Sequence, residues 1–509
     1  MTGQKPSFNQ SGVALLLLLM VLFAMAGTFA SNLLSMKVTE VNQSKQHHDY
    51  EVLRKAKQAL LSHAVNYSLT TNKYADMGRL PCPDLRATGS SSTGAQDSPC
   101  GSRHVNSVGF LPSKTLGVDT LRDSSNECLW YVVSGDYKTG PKAKMRNEDS
   151  NGMLQVQDEN GQLYHGANAG DRPIALIIAP GGILQGQSHA PDCQGNSNEA
   201  NYLESGGSVI YATDHANTAD KIWRYVYGSA SSRLENSGFN DTMVWVTKHE
   251  YWDAVKGQND LNTNSSSARS EIEQLTADLT QCFTDYANDA NNTNFWLPWP
   301  AKIEMAEYRN DTNTAGANGY IDQYNPSSLI GRLPQSINVS DTAESALTGS
   351  QVVAHANKED IFNSCLTGER KSLWKNWKDH FFYAISKDFE MVDGSTEMLS
   401  ARCITLGDCL NMSTIAAVPI SQKIAAIVFF SGSVVNGQSR NYPPVDIDEK
   451  NILSNYLDTD GSGLGNAHDY PTDAAYSGDV NTYYHDAGDL VYCIWINASN
   501  TALEAKKCA

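Results

Sequence analysis

Gly12-Val-Ala-Leu-Leu-Leu-Leu-Leu-Met-Val-Leu-Phe-Ala-Met-Ala-Gly-Thr-Phe-Ala-Ser-Asn-Leu-Leu34 carries no charged residue, and only Lys5 is charged ahead of it. An uncharged run of about 23 residues is long enough to cross a bilayer as a helix. No helix-breaking residue follows. From Lys37 to Ser68 the chain continues in helix formers, with Val52, Ala56, Leu60, Ala64 and Tyr67 at spacings of three and four. Such spacing marks one apolar face of an amphipathic helix. The two segments together predict one long helix over 13–68, transmembrane over 13–34 and in water beyond, which also packs against a soluble body.

The residues before Val13 narrow the reading. An ordinary secretory signal places its cleavage site at the far end of the apolar run, where Thr28-Phe29-Ala30 before Ser31 would serve. Here Gln10-Ser11-Gly12 stands at the near end instead. This arrangement resembles the prepilin signal of type IV pilins and type II secretion pseudopilins. The resemblance implies a leader at 1–12, removed by a prepilin peptidase between Gly12 and Val13. It implies a single-pass inner-membrane helix with periplasmic heads, and contacts with other pilins or pseudopilins through that helix. After assembly the chain would sit at the cell surface or filament tip. One position departs from the family pattern: Leu17, the fifth residue after the cut, stands where most members carry glutamate. The large tip pseudopilin lacks that glutamate as well, so the resemblance implies a large minor subunit of tip or priming type.

A chain of 509 residues exceeds one ordinary core. The formal net charge of -18 and the lack of a Lys/Arg run disfavour nucleic acid as a partner. All 10 cysteines follow the apolar segment, and no Cys-x-x-Cys pair occurs. An even number in an exported body points to disulfides. Close spacing favours Cys82 with Cys100, Cys403 with Cys409 and Cys493 with Cys508, although spacing alone leaves connectivity open.

The body contains a worn internal repeat. Leu80-Pro-Cys-Pro83 matches Leu297-Pro-Trp-Pro300, and Gly109-Phe-Leu-Pro112 matches Gly331-Arg-Leu-Pro334. Trp130-Tyr-Val-Val-Ser-Gly-Asp-Tyr137 matches Phe382-Tyr-Ala-Ile-Ser-Lys-Asp-Phe389, and the apolar run from Ile174 matches that from Ile424. The matches keep one order, which isolated coincidences would not. Each copy opens with a helix, ending at Ser68 in the first and spanning Ala268 to Ala287 in the second. A proline-fixed turn and short strands rich in Val, Ile, Tyr and Trp follow. The expected fold is therefore α+β: a long N-terminal transmembrane-plus-periplasmic helix and two tandem pilin-like heads at 69–255 and 256–509, each a helix packed on an antiparallel sheet.

One segment carries metal chemistry. Asp458-Thr-Asp460-Gly-Ser462-Gly463-Leu464-Gly-Asn466-Ala-His-Asp469 follows the spacing of a twelve-residue calcium loop. Calcium takes six to eight oxygens and needs a glycine at the sharp turn. Asp458, Asp460, Ser462 and Asp469 would give side-chain oxygens, Leu464 a carbonyl, and Asn466 a direct or water-borne contact. Aspartate at the last place, where such loops use glutamate, weakens two-oxygen closure. Neither His-Glu-x-x-His nor Gly-x-Ser-x-Gly occurs, so the expectation is a minor pilin or pseudopilin acting in assembly, adhesion or recognition, and no enzyme. The alternative is a membrane-anchored periplasmic binding protein unrelated to filaments.

Overall fold

The computed structural model describes residues 10–71, 78–85, 93–158, 160–189, 198–203, 223–227, 239–257, 268–290, 292–305, 308–309, 320–323, 325, 328–337, 361–390, 398–404, 409–413, 419–432, 434, 437–440, 447–458, 466–467, 482–484 and 489–508. Helix α1 spans Gln10–Thr71. Val52, Leu53, Ala56, Leu60, Ala64 and Val65 of this helix are buried, while Tyr67 is half-buried. The apolar stripe therefore packs as its spacing requires. It lies against β5 (Ala175–Ala179), β7 (Thr242–Val246) and α2 (Lys248–Gly257).

In the first half, β1 (Ser107–Phe110), β2 (Trp130–Val133), β5 and β7 form a four-stranded antiparallel sheet in that order. In the second half, β8 (Ile330–Arg332), β9 (Phe381–Ile385), β11 (Pro419–Phe430) and β13 (Leu490–Ile496) pair antiparallel in the matching order. Helix α3 (Ala268–Ala287) lies on β11 and β13, as α1 lies on β5 and β7. Its buried face includes Thr276, Thr280 and Thr284, polar residues that need partners away from water. Their hydroxyls donate to the carbonyls four residues back at 2.7, 2.7 and 2.9 Å.

The repeat extends to single bonds. Leu80 N–H donates to Tyr137 O at 2.8 Å, and Leu297 N–H donates to Phe389 O at 3.1 Å. Gly109 pairs with Tyr131 and Gly331 with Tyr383. Both glycines face the segment after the proline turn. A Cβ on Gly109 would meet Asp84 O at 2.8 Å, and one on Gly331 would meet Ala301 O at 2.2 Å. The glycine of Gly-x-Leu-Pro is thus the price of laying the Leu-Pro-x-Pro backbone against the first strand.

The copies differ in what they add. The first carries a small sheet of β4 (Leu163–His165), β3 (Leu154–Gln157) and β6 (Trp223–Val226). Phe110, Trp130, Leu176 and Tyr202 pack beneath it as a separate small core. The second adds β10 (Leu410–Ser413), β12 (Thr482–Tyr484) and β14 (Leu503–Lys507) to its main sheet. One continuous core includes Leu60, Tyr131 and Trp252 of the first half with Phe283, Trp377 and Phe429 of the second.

Two expectations are corrected. Among the described residues no helix is long and apolar enough to cross a membrane. The transmembrane span over 13–34 is therefore not supported, nor is the single-pass inner-membrane placement with periplasmic heads that was drawn from it. The plan of a long N-terminal helix packed on a sheet, leading two tandem pilin-like heads, is corrected too. The part of α1 that contributes to the core is short, from Val52 to Val65, and the larger sheet has seven strands.

Leu60 tests the packing of α1. Truncating a fully buried leucine removes apolar burial and leaves a cavity, so Leu60→Ala should lower unfolding free energy by about 2–5 kcal/mol. Urea denaturation of the purified chain reads this directly. A loss under about 1 kcal/mol would mean that α1 is not part of the core.

Candidate functional site

Two places concentrate charged and oxygen-bearing side chains. The first lies at the start of β13. Of the residues expected to bind calcium, Asp458 and Asn466 are described, while Asp460, Ser462, Leu464 and Asp469 lie outside the described residues. Asn466 N–H donates to Asp458 O at 3.0 Å, which brings the first and ninth loop positions together. Asp458 Oδ1 accepts from Gln438 Nε2 at 3.1 Å. Asp489, absent from the sequence reading, joins the group. Its Oδ2 accepts from Asp458 N–H at 3.1 Å and from Asn466 Nδ2 at 3.0 Å. Burial, and then the charge of Asp458, pushes the Asp489 carboxyl up to about 7. Burial raises Asp458 as well, against the opposing pull of Arg440. Aspartate and asparagine oxygens are the hard donors that calcium takes.

The second place joins the two halves. Lys450 ends α6 (Ile447–Lys450), which follows α4 (Ile361–Cys365) and α5 (Gly368–Trp377) along the chain. Its Nζ donates to Asp149 Oδ2 at 2.8 Å, Asp379 Oδ2 at 2.7 Å and Tyr456 Oη at 3.0 Å. Asp149 comes from the loop between β2 and β3, 301 residues away. Asn147 of the same loop donates to Asp379 Oδ1 at 2.6 Å and to Asn376 O at 2.9 Å. His380 Nε2 lies 3.2 Å from Asp149 Oδ2. Arg332 donates to the carbonyls of Asp379 and Lys450 and lies across the rings of Tyr308, Phe382 and Tyr456.

All these charges are out of water. Burial alone would raise the Asp149 carboxyl, but Lys450, His380 and Arg440 together outweigh it and hold the group well below the usual range. Burial alone would lower Lys450, but Asp149 and Asp379 hold its ammonium well above its usual value. The result is a charged clasp inside the core. The Ser431 hydroxyl stands 3.3 Å from His380 Nδ1, so serine, histidine and aspartate fall in line. Among the described residues, however, His380 and Asp149 are fully enclosed.

Among the described residues, two groupings have the ligand types and closeness to hold a metal ion: Asp149 with Asp379 and His380, and Asp388 with Cys403 and Cys409. In the first, the Lys450 ammonium lies between the carboxylates and supplies the positive charge. In the second, both sulfurs are committed to a disulfide, leaving Asp388 as the remaining ligand of the three.

Cys82 is bonded to Cys100, Cys403 to Cys409 and Cys493 to Cys508. Cys282 is bonded to Cys365, which ties α3 to α4 across 83 residues. Short spacing pointed to the first three and gave no signal for the fourth. Cys128 is also disulfide-bonded. Gly12 and Val13 lie in the helical backbone near the start of α1. His249 and Glu250 fall in α2, where Tyr251 and Trp252 are buried and Glu250 pairs with Lys57 of α1 at 2.7 Å. No family model, curated protein or solved structure matches the chain.

The clasp predicts a change in pH dependence. The depressed pKa of Asp149 gives stability that is present above about pH 4 and lost only as pH falls through the folded value. The raised pKa of Lys450 gives stability that is present below about pH 10 and lost only as pH rises through the folded value. The wild-type pair therefore contributes evenly between those limits. Lys450→Met strands two buried carboxylates and should cost about 3–5 kcal/mol near neutrality. Because those carboxylates then favour the proton, the variant should lose further stability as pH rises from 5 to 8. Denaturant midpoints across that range decide the matter, and equal slopes for both proteins would refute a charged clasp.

Proposed function

We propose that this chain is a minor subunit of a pilin-like filament, placed at the tip or acting in priming, with assembly and recognition as its work. One observation carries the reading. Leu18, Leu19, Met20, Val21, Leu22, Phe23 and Met25 are all exposed, from 45% for Leu19 to 73% for Phe23. They stand within two turns of helix, so they cover its whole circumference. A helix apolar on every side is buried in its working state, and within this chain nothing described covers it. Similar helices of other subunits would do so, packed around it in a bundle.

The resemblance of Gln10-Ser11-Gly12-Val13 to a prepilin junction supports the same reading. So does Leu17, since a tip subunit has no preceding amino terminus for a glutamate to offset. The duplicated body suits a position that occurs once per filament. In this proposal a prepilin peptidase cuts between Gly12 and Val13, and the segment from Asp458 to Asp469 takes calcium. The closeness of Asp458 and Asn466 supports the calcium assignment.

Two measurements on protein from its native cell test the proposal. Mass spectrometry should find Val13 as the mature first residue. A photocrosslinker at Leu19 or Phe23 should capture the first helices of other pilin-like subunits. A mature chain beginning at Ser31 would remove the exposed helix and end the filament reading, and crosslinks to lipid alone would do the same.

A further inference from the structure

Asp489 has features that the twelve-residue pattern does not explain. It immediately precedes β13, a strand of the main sheet, and its side chain is 5% exposed. Its Oδ2 is shared between Asp458 N–H and Asn466 Nδ2. Its Oδ1 is buried and accepts no hydrogen bond among the described residues. A buried carboxyl oxygen with no hydrogen-bond partner is costly, so such an atom calls for a missing partner. The nearby cation does not supply one. The guanidinium of Arg440 donates to the carbonyls of Gly432, Asn455 and Tyr456 and to Gln438 Oε1.

The sequence pattern has a complementary gap. Its last position is Asp469, where calcium loops use a glutamate that reaches the ion with two oxygens. Asp489 would fill that gap from outside the loop, beside β13, with one oxygen already oriented by two donors and the other without a partner among the described residues.

We infer that Asp489 is a calcium ligand, acting with Asp458 and Asn466 at the edge of β13. The assignment rests on the calcium reading of the 458–469 segment and adds to it a buried carboxylate from elsewhere in the chain. Calcium fits better than magnesium, because it accepts irregular sets of six to eight oxygens, whereas magnesium demands a near-octahedral cage.

The test uses the whole chain and calcium alone. Calorimetric titration and thermal melting are run in chelator and in millimolar calcium for wild type and Asp489→Asn. Wild type should bind calcium and melt higher with it. Asp489→Asn should bind about tenfold or more weakly and lose most of the rise. In chelator it should melt no lower than wild type, since the amide oxygen can keep both donors and no buried carboxylate is left to ionise. If wild type shows no heat and no shift, the calcium reading of the segment fails, and the Asp489 assignment falls with it. If wild type responds and Asp489→Asn responds equally, the Asp489 assignment alone is overturned. Should the variant fail to fold in chelator, calcium rescue decides. Recovery in calcium would overturn the assignment, because a lost ligand cannot be restored by the ion, and no recovery where wild type is stabilised would uphold it.

Discussion

The Lys450 ammonium sits in the core without water, held between a carboxylate of the first half and one of the second. Neither Asp149 nor Asp379 could stay charged there without it, and it could not stay charged without them. The groups around it are fixed by the same requirement. Arg332 binds the carbonyls of Asp379 and Lys450, and Asn147 reaches from the first half to Asp379 and Asn376. Replacing such an arrangement by apolar side chains is often neutral for stability. Its value lies in geometry, because paired buried charges accept few alternative arrangements. The clasp therefore sets how the loop after β2 meets the turn before β9.

Around that junction the molecule repeats one frame: a helix, a proline turn, and four antiparallel strands in the same order. Gly109 and Gly331 do the same task in each copy, admitting a neighbouring backbone where a Cβ would collide. What the copies do not share is where specialisation lies. The first carries an aromatic-lined small sheet. The second carries three further strands, three of the disulfides and the Asp458–Asn466–Asp489 group. The exposed apolar turns near the start of α1 belong to neither frame.

Much of the frame was legible in the sequence, because local chemistry decides it. Helix α3 runs from Ala268 to Ala287, the span expected from the repeat, and β9 runs from Phe381 to Ile385. Val52, Ala56, Leu60 and Ala64 are buried as their spacing implied. The bonds that join the halves were not legible. Asp149 follows Glu148 in a polar loop and Lys450 follows Glu449 at the end of a short helix, and only the tertiary fold shows that they meet. Cys282–Cys365 was missed because its loop is long, and chain proximity favours short ones. Asp489 gave no signal either, being one aspartate among many before an apolar strand. The transmembrane reading failed for a different reason. Hydropathy measures what a helix would tolerate around it, and an all-apolar circumference is equally suited to a bundle of like helices.

Hydrogen exchange on the intact protein, followed at increasing denaturant, tests most directly whether the repeated halves form one cooperative body. Amides of Trp130–Val133 and Ala175–Ala179 belong to one sheet, and those of Phe381–Ile385 and Ile424–Phe430 to the other. The expected result is that the most protected amides of both sheets exchange through one global opening with a common free energy. If one sheet opens at a clearly lower free energy while the other stays protected, the halves are independent and the buried clasp does not couple them.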